Sequence, residues 1–147
     1  MLYIGADHGG YKLKEHLKQY LVKQKIDFID LGAKKLIQGD DYPDYAKLVA
    51  VKVSKDPEKN VGILICRSGQ GVCMVANKFK KVRASLVWNV KEAKMSRTDD
   101  MANILCLPSD YITKSTAEKV VKTWLSTKYS KEARHVRRVK KISNLEI

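Results

Sequence analysis

The chain has 147 residues, the size of one ordinary domain, and with 44% hydrophobic residues it can bury a full core without disulfides or metals. Its three cysteines, Cys66, Cys73 and Cys106, are odd in number and lack C-x-x-C or zinc spacing, which argues against a disulfide framework and gives no metal site. The net charge of +13 calls for an anionic ligand or partner, while the apolar runs are too short for a bilayer and Met1 leads straight into a strand, so a soluble, cytoplasmic protein with no membrane partner is expected.

A strand-then-helix rhythm runs through the chain. Leu2 to Ala6 reads as a strand and Tyr11 to Gln24 as an amphipathic helix with Leu13, Leu17, Tyr20 and Leu21 on one face. Strand character resumes from Ile26 to Leu31 and stops at Gly32. A polar loop with Gly39, Asp40 and Asp41 follows, then a helix from Tyr45 to Val53. The apolar run from Val61 to Cys66 has the composition of a strand buried on both faces. Val72 to Phe79 is a helix, Arg83 to Trp88 a strand, Val90 to Arg97 a helix and Asn103 to Pro108 a fifth strand. A helix from Ser115 to Ser126 closes the series, with Ser115 as cap and Glu118 three residues on. Without linker, repeat or low-complexity tract, these five units predict one doubly wound α/β domain over residues 1–147.

Chemistry concentrates in two loops at the carboxyl ends of strands, where open α/β sheets place their ligands. The first is Cys66-Arg67-Ser68-Gly69-Gln70-Gly71, whose small residues let backbone amides converge on an anion. A thiolate is the reactive form of cysteine, and a helix N-terminus and the neighbouring Arg67 both favour it. Position alone leaves Cys66 open between catalysis and burial, whereas Cys106 and Cys73 read as small buried hydrophobes. The second loop is Asp7-His8-Gly9-Gly10. Asp7 suits a helix cap, and His8 suits anion binding or proton transfer near neutral pH. His16, within the first helix, reads as a surface residue.

The basic residues divide into two kinds. Lys12, Lys14, Lys18 and Lys23 alternate with apolar positions and read as a solvated helix face. From about residue 128 to 147 the density rises, and in a helix Arg134 and Arg138 project on one face in a geometry suited to a phosphate. Nucleic acid is not expected as the main partner, because helix-turn-helix, zinc and RNP signatures are all missing. Gly69-Gln70-Gly71 breaks the dinucleotide spacing, and there is no P-loop string.

The ordered motifs resemble those of the ribose-5-phosphate isomerase B family, which includes galactose-6-phosphate isomerase subunits. They are Gly5-Ala6-Asp7-His8, Asp41-Tyr42-Pro43-Asp44-Tyr45-Ala46, Gly62-Ile63-Leu64-Ile65-Cys66 with Ser68-Gly69-x-Gly71, Ala76-Asn77-Lys78, Val82-Arg83-Ala84, Ser96-Arg97, Ala102-Asn103-Ile104-Leu105 and Arg134-His135-x-x-Arg138-Val139. The resemblance spans nearly the whole chain. It implies a three-layer α/β/α sandwich around a Rossmann-like five-stranded parallel sheet, and a homodimer or tetramer with active sites at the interface. It also implies cofactor-free, metal-free interconversion of aldose and ketose phosphates through a cis-enediolate.

Carried over by position, Cys66 is the base, while Ser68 and the amides of Gly69, Gln70 and Gly71 stabilise the enediolate oxygen. Asp7, His8 and Tyr42 bind sugar hydroxyls or assist proton movement, Asn77 lines the same substrate pocket, and Arg134 and Arg138 hold the phosphate, reaching from a partner subunit. The chain departs from the family at Ser96-Arg97-Thr98-Asp99-Asp100, where Asp99 replaces the histidine that opens the furanose ring. Asp99, if buried beside Asp100, is the expected acid–base group, and the alternatives are substitution by His8 or His135, or a substrate taken already in the open form. Asp110 stands where a phosphate-binding arginine is common, and Arg67 where glycine is common, so Arg67 is a candidate replacement contact. Ribose 5-phosphate is the leading substrate. The alternatives are another phosphosugar such as galactose or allose 6-phosphate, and a non-catalytic sugar-phosphate or nucleic-acid binder.

Overall fold

The computed structural model describes residues 1–146, so residue 147 of the basic tail lies outside the described residues. Strands β1 (Leu2–Ala6), β2 (Phe28–Asp30), β3 (Val61–Cys66), β4 (Ala84–Leu86) and β5 (Ile104–Pro108) form one sheet in the order β2-β1-β3-β5-β4, with every pairing parallel. The helices are α1 (Tyr11–Lys23), α2 (Tyr42–Lys55), α3 (Gln70–Ala76), α4 (Val90–Thr98), α5 (Lys114–Ser126) and α6 (Ala133–Ser143).

Side chains alternate across the sheet, so one strand feeds two cores. Ile63 and Ile65 of β3 pack with Leu13, Leu17 and Leu21 of α1, Ala93 of α4 and Val120 and Trp124 of α5. Leu64 and Cys66 turn to the other face, against Val49 and Val53 of α2 and Val72 and Ala76 of α3. The result is the three-layer, Rossmann-like α/β/α architecture. From β1 the chain runs outward to β2 through α1, then crosses by α2 to β3 on the far side of β1. Right-handed crossovers put those helices on opposite faces, and the β1 and β3 loops part there into a crevice.

Element limits differ from expectation for local reasons. The edge strands β2 and β4 have three residues each, because each has one neighbour to pair with. Helix α2 starts at Tyr42 rather than Tyr45, since extended Asp41 precedes it and Pro43 fits its first turn. Thr113, not Ser115, caps α5, its Oγ1 accepting from the Thr116 N–H at 3.1 Å. The C-terminal basic segment is helical from Ala133 to Ser143. His16 is half-buried rather than a free surface residue, because its Nε2 meets Glu118 Oε1 at 2.7 Å and ties α1 to α5.

Lys14 corrects the reading of a solvated lysine face. Its side chain is 0% exposed and its ammonium donates to Asp30 Oδ2 and Glu15 Oε1, each at 2.7 Å. Lys18 adds a second ion pair to Asp30 at 2.8 Å, and the Gly32 N–H donates to Asp30 Oδ1 at 2.9 Å. Burial alone pushes the Asp30 carboxyl up, but these donors reverse that and hold it below the ordinary carboxylate range. The network locks α1 to β2.

Removing one partner of a buried pair leaves the other charge uncompensated. Asp30→Ala is therefore expected to cost about 3 kcal/mol of unfolding free energy by urea denaturation, with Lys14→Met in the same chain recovering much of it. Because the folded pKa of Asp30 is depressed, its contribution is complete above the ordinary carboxylate pKa and is lost as pH falls through the depressed value. The acid limb of the stability profile should flatten in Asp30→Ala.

Candidate active site

Parallel strands bring the β1, β3 and β5 loops to one edge of the sheet. Cys66 ends β3 at 5% exposure, and its Sγ accepts a hydrogen bond from the Gly69 N–H at 3.2 Å. Gly69 makes this turn with φ of +72°, a left-handed conformation that side chains disfavour. The Gln70 N–H donates to Ser68 Oγ at 3.3 Å. Two of the three amides expected to face an anion are thus engaged inside the loop, the Gly69 amide with the thiol itself. Across the loop, a Cβ on Gly71 would lie 2.6 Å from the Tyr42 ring, so Tyr42 closes over the start of α3.

The β1 loop packs directly on this turn. A Cβ on Gly10 would strike the Ile65 carbonyl, and one on Gly9 would strike Arg67 Cγ. The exposed Arg67 therefore runs its stem along the Asp7–Gly10 loop. Ser109, after β5, donates its hydroxyl to the Gly9 carbonyl at 2.8 Å, and its N–H donates to the Cys66 carbonyl at 2.9 Å. Asp110 donates its N–H to the Arg67 carbonyl at 3.0 Å, which places the altered pair Arg67 and Asp110 side by side.

Asp7 does not cap α1 in the simplest sense. Its Oδ1 accepts from the Gly10 N–H at 3.0 Å, and Gly10 is the cap residue. Burial pushes the Asp7 carboxyl above its ordinary value, an effect the Gly10 hydrogen bond offsets in part. His8 meets a partner that sequence reasoning missed: Asp40 Oδ1 accepts from the His8 backbone N–H at 2.7 Å and lies 2.8 Å from the ring Nδ1. That carboxylate raises the His8 pKa above the usual imidazole value. Asp40 itself is held below the carboxylate range, the two His8 donors and the Tyr45 hydroxyl outweighing its burial. Ligand-type atoms of Asp7, His8 and Asp40 lie within 4.8 Å of one another, the group among the described residues with the donors for a cation. The signal for Asp40 was its polar loop of Gly39, Asp40 and Asp41, whose fold back onto β1 is tertiary.

The other thiols are structural. Cys106 is fully buried, and burial pushes its thiol well up. Half-buried Cys73 is held below the ordinary thiol value by its hydrogen bond with Cys106, against its own burial.

The remaining expected site residues lie elsewhere in the same chain. Asp99 and Asp100 follow α4, which runs back to the amino edge of the sheet, a strand length of about 15 Å from the thiol. Ser130 ties the segment before α6 to that edge by donating its N–H to the Thr98 carbonyl at 3.2 Å. Arg134 and Arg138 are exposed on α6, and Arg134 pairs with Glu132 at 2.9 Å. Asn77 spends its amide on β4, accepting from the Ala84 N–H at 2.8 Å and donating to the Ala84 carbonyl at 2.9 Å. It is a staple between α3 and β4 rather than a free sugar ligand. A cavity of about 660 Å³, lined by Asn77, Arg83, Asp100, Ile142 and Glu146, also lies at this amino edge.

The fold and the carboxyl-edge site define a Rossmann-like α/β protein that carries a buried thiol and an imidazole–carboxylate pair on neighbouring loops at a sheet switch point. The chain belongs to the family described as Ribose/Galactose Isomerase, whose profile matches residues 2–142. A relative from Mycoplasma genitalium named probable ribose-5-phosphate isomerase B is 43% identical over 145 residues, covering 99% of this chain and 95% of its own. Ribose-5-phosphate isomerase B of Escherichia coli is 35% identical over 142 residues, covering 97% and 93%. The crystal structure of the M. genitalium ribose-5-phosphate isomerase B with bound ribulose-5-phosphate superposes with a TM-score of 0.95 at 43% identity, covering 99% of this chain and 95% of that one. Among the described residues no helix is long and apolar enough to cross a membrane.

The Asp40 carboxylate makes His8 a measurable reporter. In an NMR titration the His8 imidazole should titrate above the ordinary value of about 6.5, and Asp40→Asn should bring it down toward that value. The stabilisation from this pair is present below the ordinary histidine pKa and is lost as pH rises through the raised one.

Proposed function

We propose that this chain is a sugar-phosphate aldose–ketose isomerase that interconverts ribose 5-phosphate and ribulose 5-phosphate, with Cys66 as the base. The observation that carries this reading is the Cys66 sulfur, held by the Gly69 amide at the switch point in a turn against which the Asp7–Gly10 loop and the Tyr42 ring pack. The relative whose structure holds ribulose-5-phosphate matches this chain over 99% of its length.

In the open-chain aldose, the Cys66 thiolate takes the proton from C2. The electron pair forms the C1–C2 double bond, and the C1 carbonyl oxygen becomes the enediolate oxygen. Ser68 and the Gly71 amide stabilise that oxygen, a proton moves from O2 to O1, and the thiol returns its proton to C1 as the C2 carbonyl forms. Asp7, His8 and Tyr42 hold the hydroxyls, with Arg67 at the loop's outer rim. Since Asp99, Asp100, Arg134 and Arg138 sit at the opposite edge, the complete site takes two copies of the chain, the second supplying ring opening and the phosphate contact. Binding of the remote phosphate then orients the reacting carbons.

The test is solvent-deuterium exchange into ribose 5-phosphate followed by NMR. The wild type should incorporate deuterium at C2 with product formation, and Cys66→Ala should lower both by about 100-fold or more while still binding ligand. Full activity in Cys66→Ala would remove the base. Exchange into a hexose 6-phosphate in place of ribose 5-phosphate would reassign the substrate.

A further inference from the structure

At the amino edge a short chain of polar groups runs from a serine to the carboxylate expected to open the sugar ring. His135 is 4% exposed, and its Nδ1 lies 2.7 Å from Ser130 Oγ. Ser130 Oγ accepts the Glu132 N–H at 3.3 Å and can still donate its own hydrogen to Nδ1, the direction that leaves the ring proton on Nε2, toward the Asp99 carboxylate. An imidazole that accepts at Nδ1 carries its proton on Nε2. That Nε2 faces Asp99 Oδ1 across 3.9 Å.

Asp99 is held from its other side as well. The Thr98 hydroxyl donates to the same Oδ1 at 2.7 Å, and the Asp99 N–H donates to the Met95 carbonyl at 2.9 Å. Its side chain is nevertheless 37% exposed. One carboxylate oxygen is thus anchored in the chain, and exposure remains for the other to meet a ligand.

We propose that His135, set in its Nε2–H form by Ser130, is a positioning residue that orients Asp99 for opening the furanose ring in the partner copy's site. The inference rests on the isomerase reading above. The step it serves moves the anomeric hydroxyl proton to Asp99 as the C1–O4 bond breaks, O4 takes a proton from Asp99 or from water, and C1 becomes the aldehyde. No oxidant or metal is required. The 3.9 Å gap is long for a hydrogen bond, and catalytic contacts of this kind commonly shorten when substrate seats. His135 does not touch substrate in this arrangement. Its burial confines it to acting through Asp99.

The two directions of the reaction separate this role from a structural one. Ribose 5-phosphate is cyclic and needs ring opening, whereas ribulose 5-phosphate has its C5 oxygen blocked by phosphate and is open-chain. Wild-type protein is compared with His135→Met, His135→Gln and Ser130→Ala. The readouts are turnover of ribose 5-phosphate and solvent-deuterium exchange at C1 of ribulose 5-phosphate. His135→Met should lower kcat/KM for ribose 5-phosphate about tenfold and leave C1 exchange within about twofold. His135→Gln, which keeps an N–H donor near the Nε2 position, should recover most of the loss, and Ser130→Ala should show the same selectivity more weakly. In an Asp99→Asn background, His135→Met should cost nothing further.

Equal losses in both readouts, no loss in either, or full ribose 5-phosphate turnover in Asp99→Asn would each overturn the proposal. If His135→Met fails to fold, Ser130→Ala carries the comparison alone. Absence of C1 exchange in the wild type would instead sink the isomerase reading, so the two failures are distinguishable.

Discussion

The parallel polarity of the sheet is the constraint on which everything else depends. Each strand must be re-entered from the same end, so every helix between strands runs back from the carboxyl edge to the amino edge. The loops after β1, β3 and β5 then meet at one edge, which brings the Asp7-His8 pair, Cys66 and Ser109 together from three segments far apart in sequence. By the same rule the end of α4 and the segment that leads into α6 fall at the other edge, with Asp99, His135 and Arg134. One chain holds a thiol half and a half with Asp99 and the basic α6 helix at the opposite edge, and the proposed isomerase site joins the two from separate copies.

Packing reinforces this division. The strand alternation that buries Ile63 and Ile65 on one face commits Leu64 and Cys66 to the other, where α2 and α3 lie. Tyr42 begins α2 and Gly71 lies in the first turn of α3, so the layer that covers Cys66 also carries the ring that packs on that turn. On the opposite face, Lys14 and Asp30 fasten α1 to β2. The Arg97 guanidinium sits 4.8 Å over the Trp124 ring and joins α4 to α5, fixing the helix whose end carries Asp99.

Much of this was legible in the sequence, because periodicity and turn residues are local signals. The apolar run into Cys66, the small residues after it and the Asp7-His8-Gly9-Gly10 loop mark the crevice by themselves. Lys14 was misread because its position on the helix wheel says nothing of Asp30, which arrives from β2. Asp40 was missed for the same reason: its value lies in where a polar loop folds, against His8. Asn77 was read as a sugar ligand from its motif, yet its amide closes onto Ala84, a pairing that only the β4 register creates. The pairing of Ser130 with His135 spans five residues, but the aim of that ring at Asp99 depends on how α6 returns to the end of α4.

The division of the site between two copies is tested most directly by mixing two damaged proteins, Cys66→Ala and Arg138→Ala, each assayed alone and after reassociation at substrate below saturation. A hybrid dimer collects both defects in one site and neither in the other. Random reassociation should therefore restore about one quarter of the wild-type rate from two nearly inactive parents. A mixture no more active than the average of its parents would mean that each chain builds its site from its own residues, contradicting the proposed supply of one site's thiol and α6 arginines by different copies.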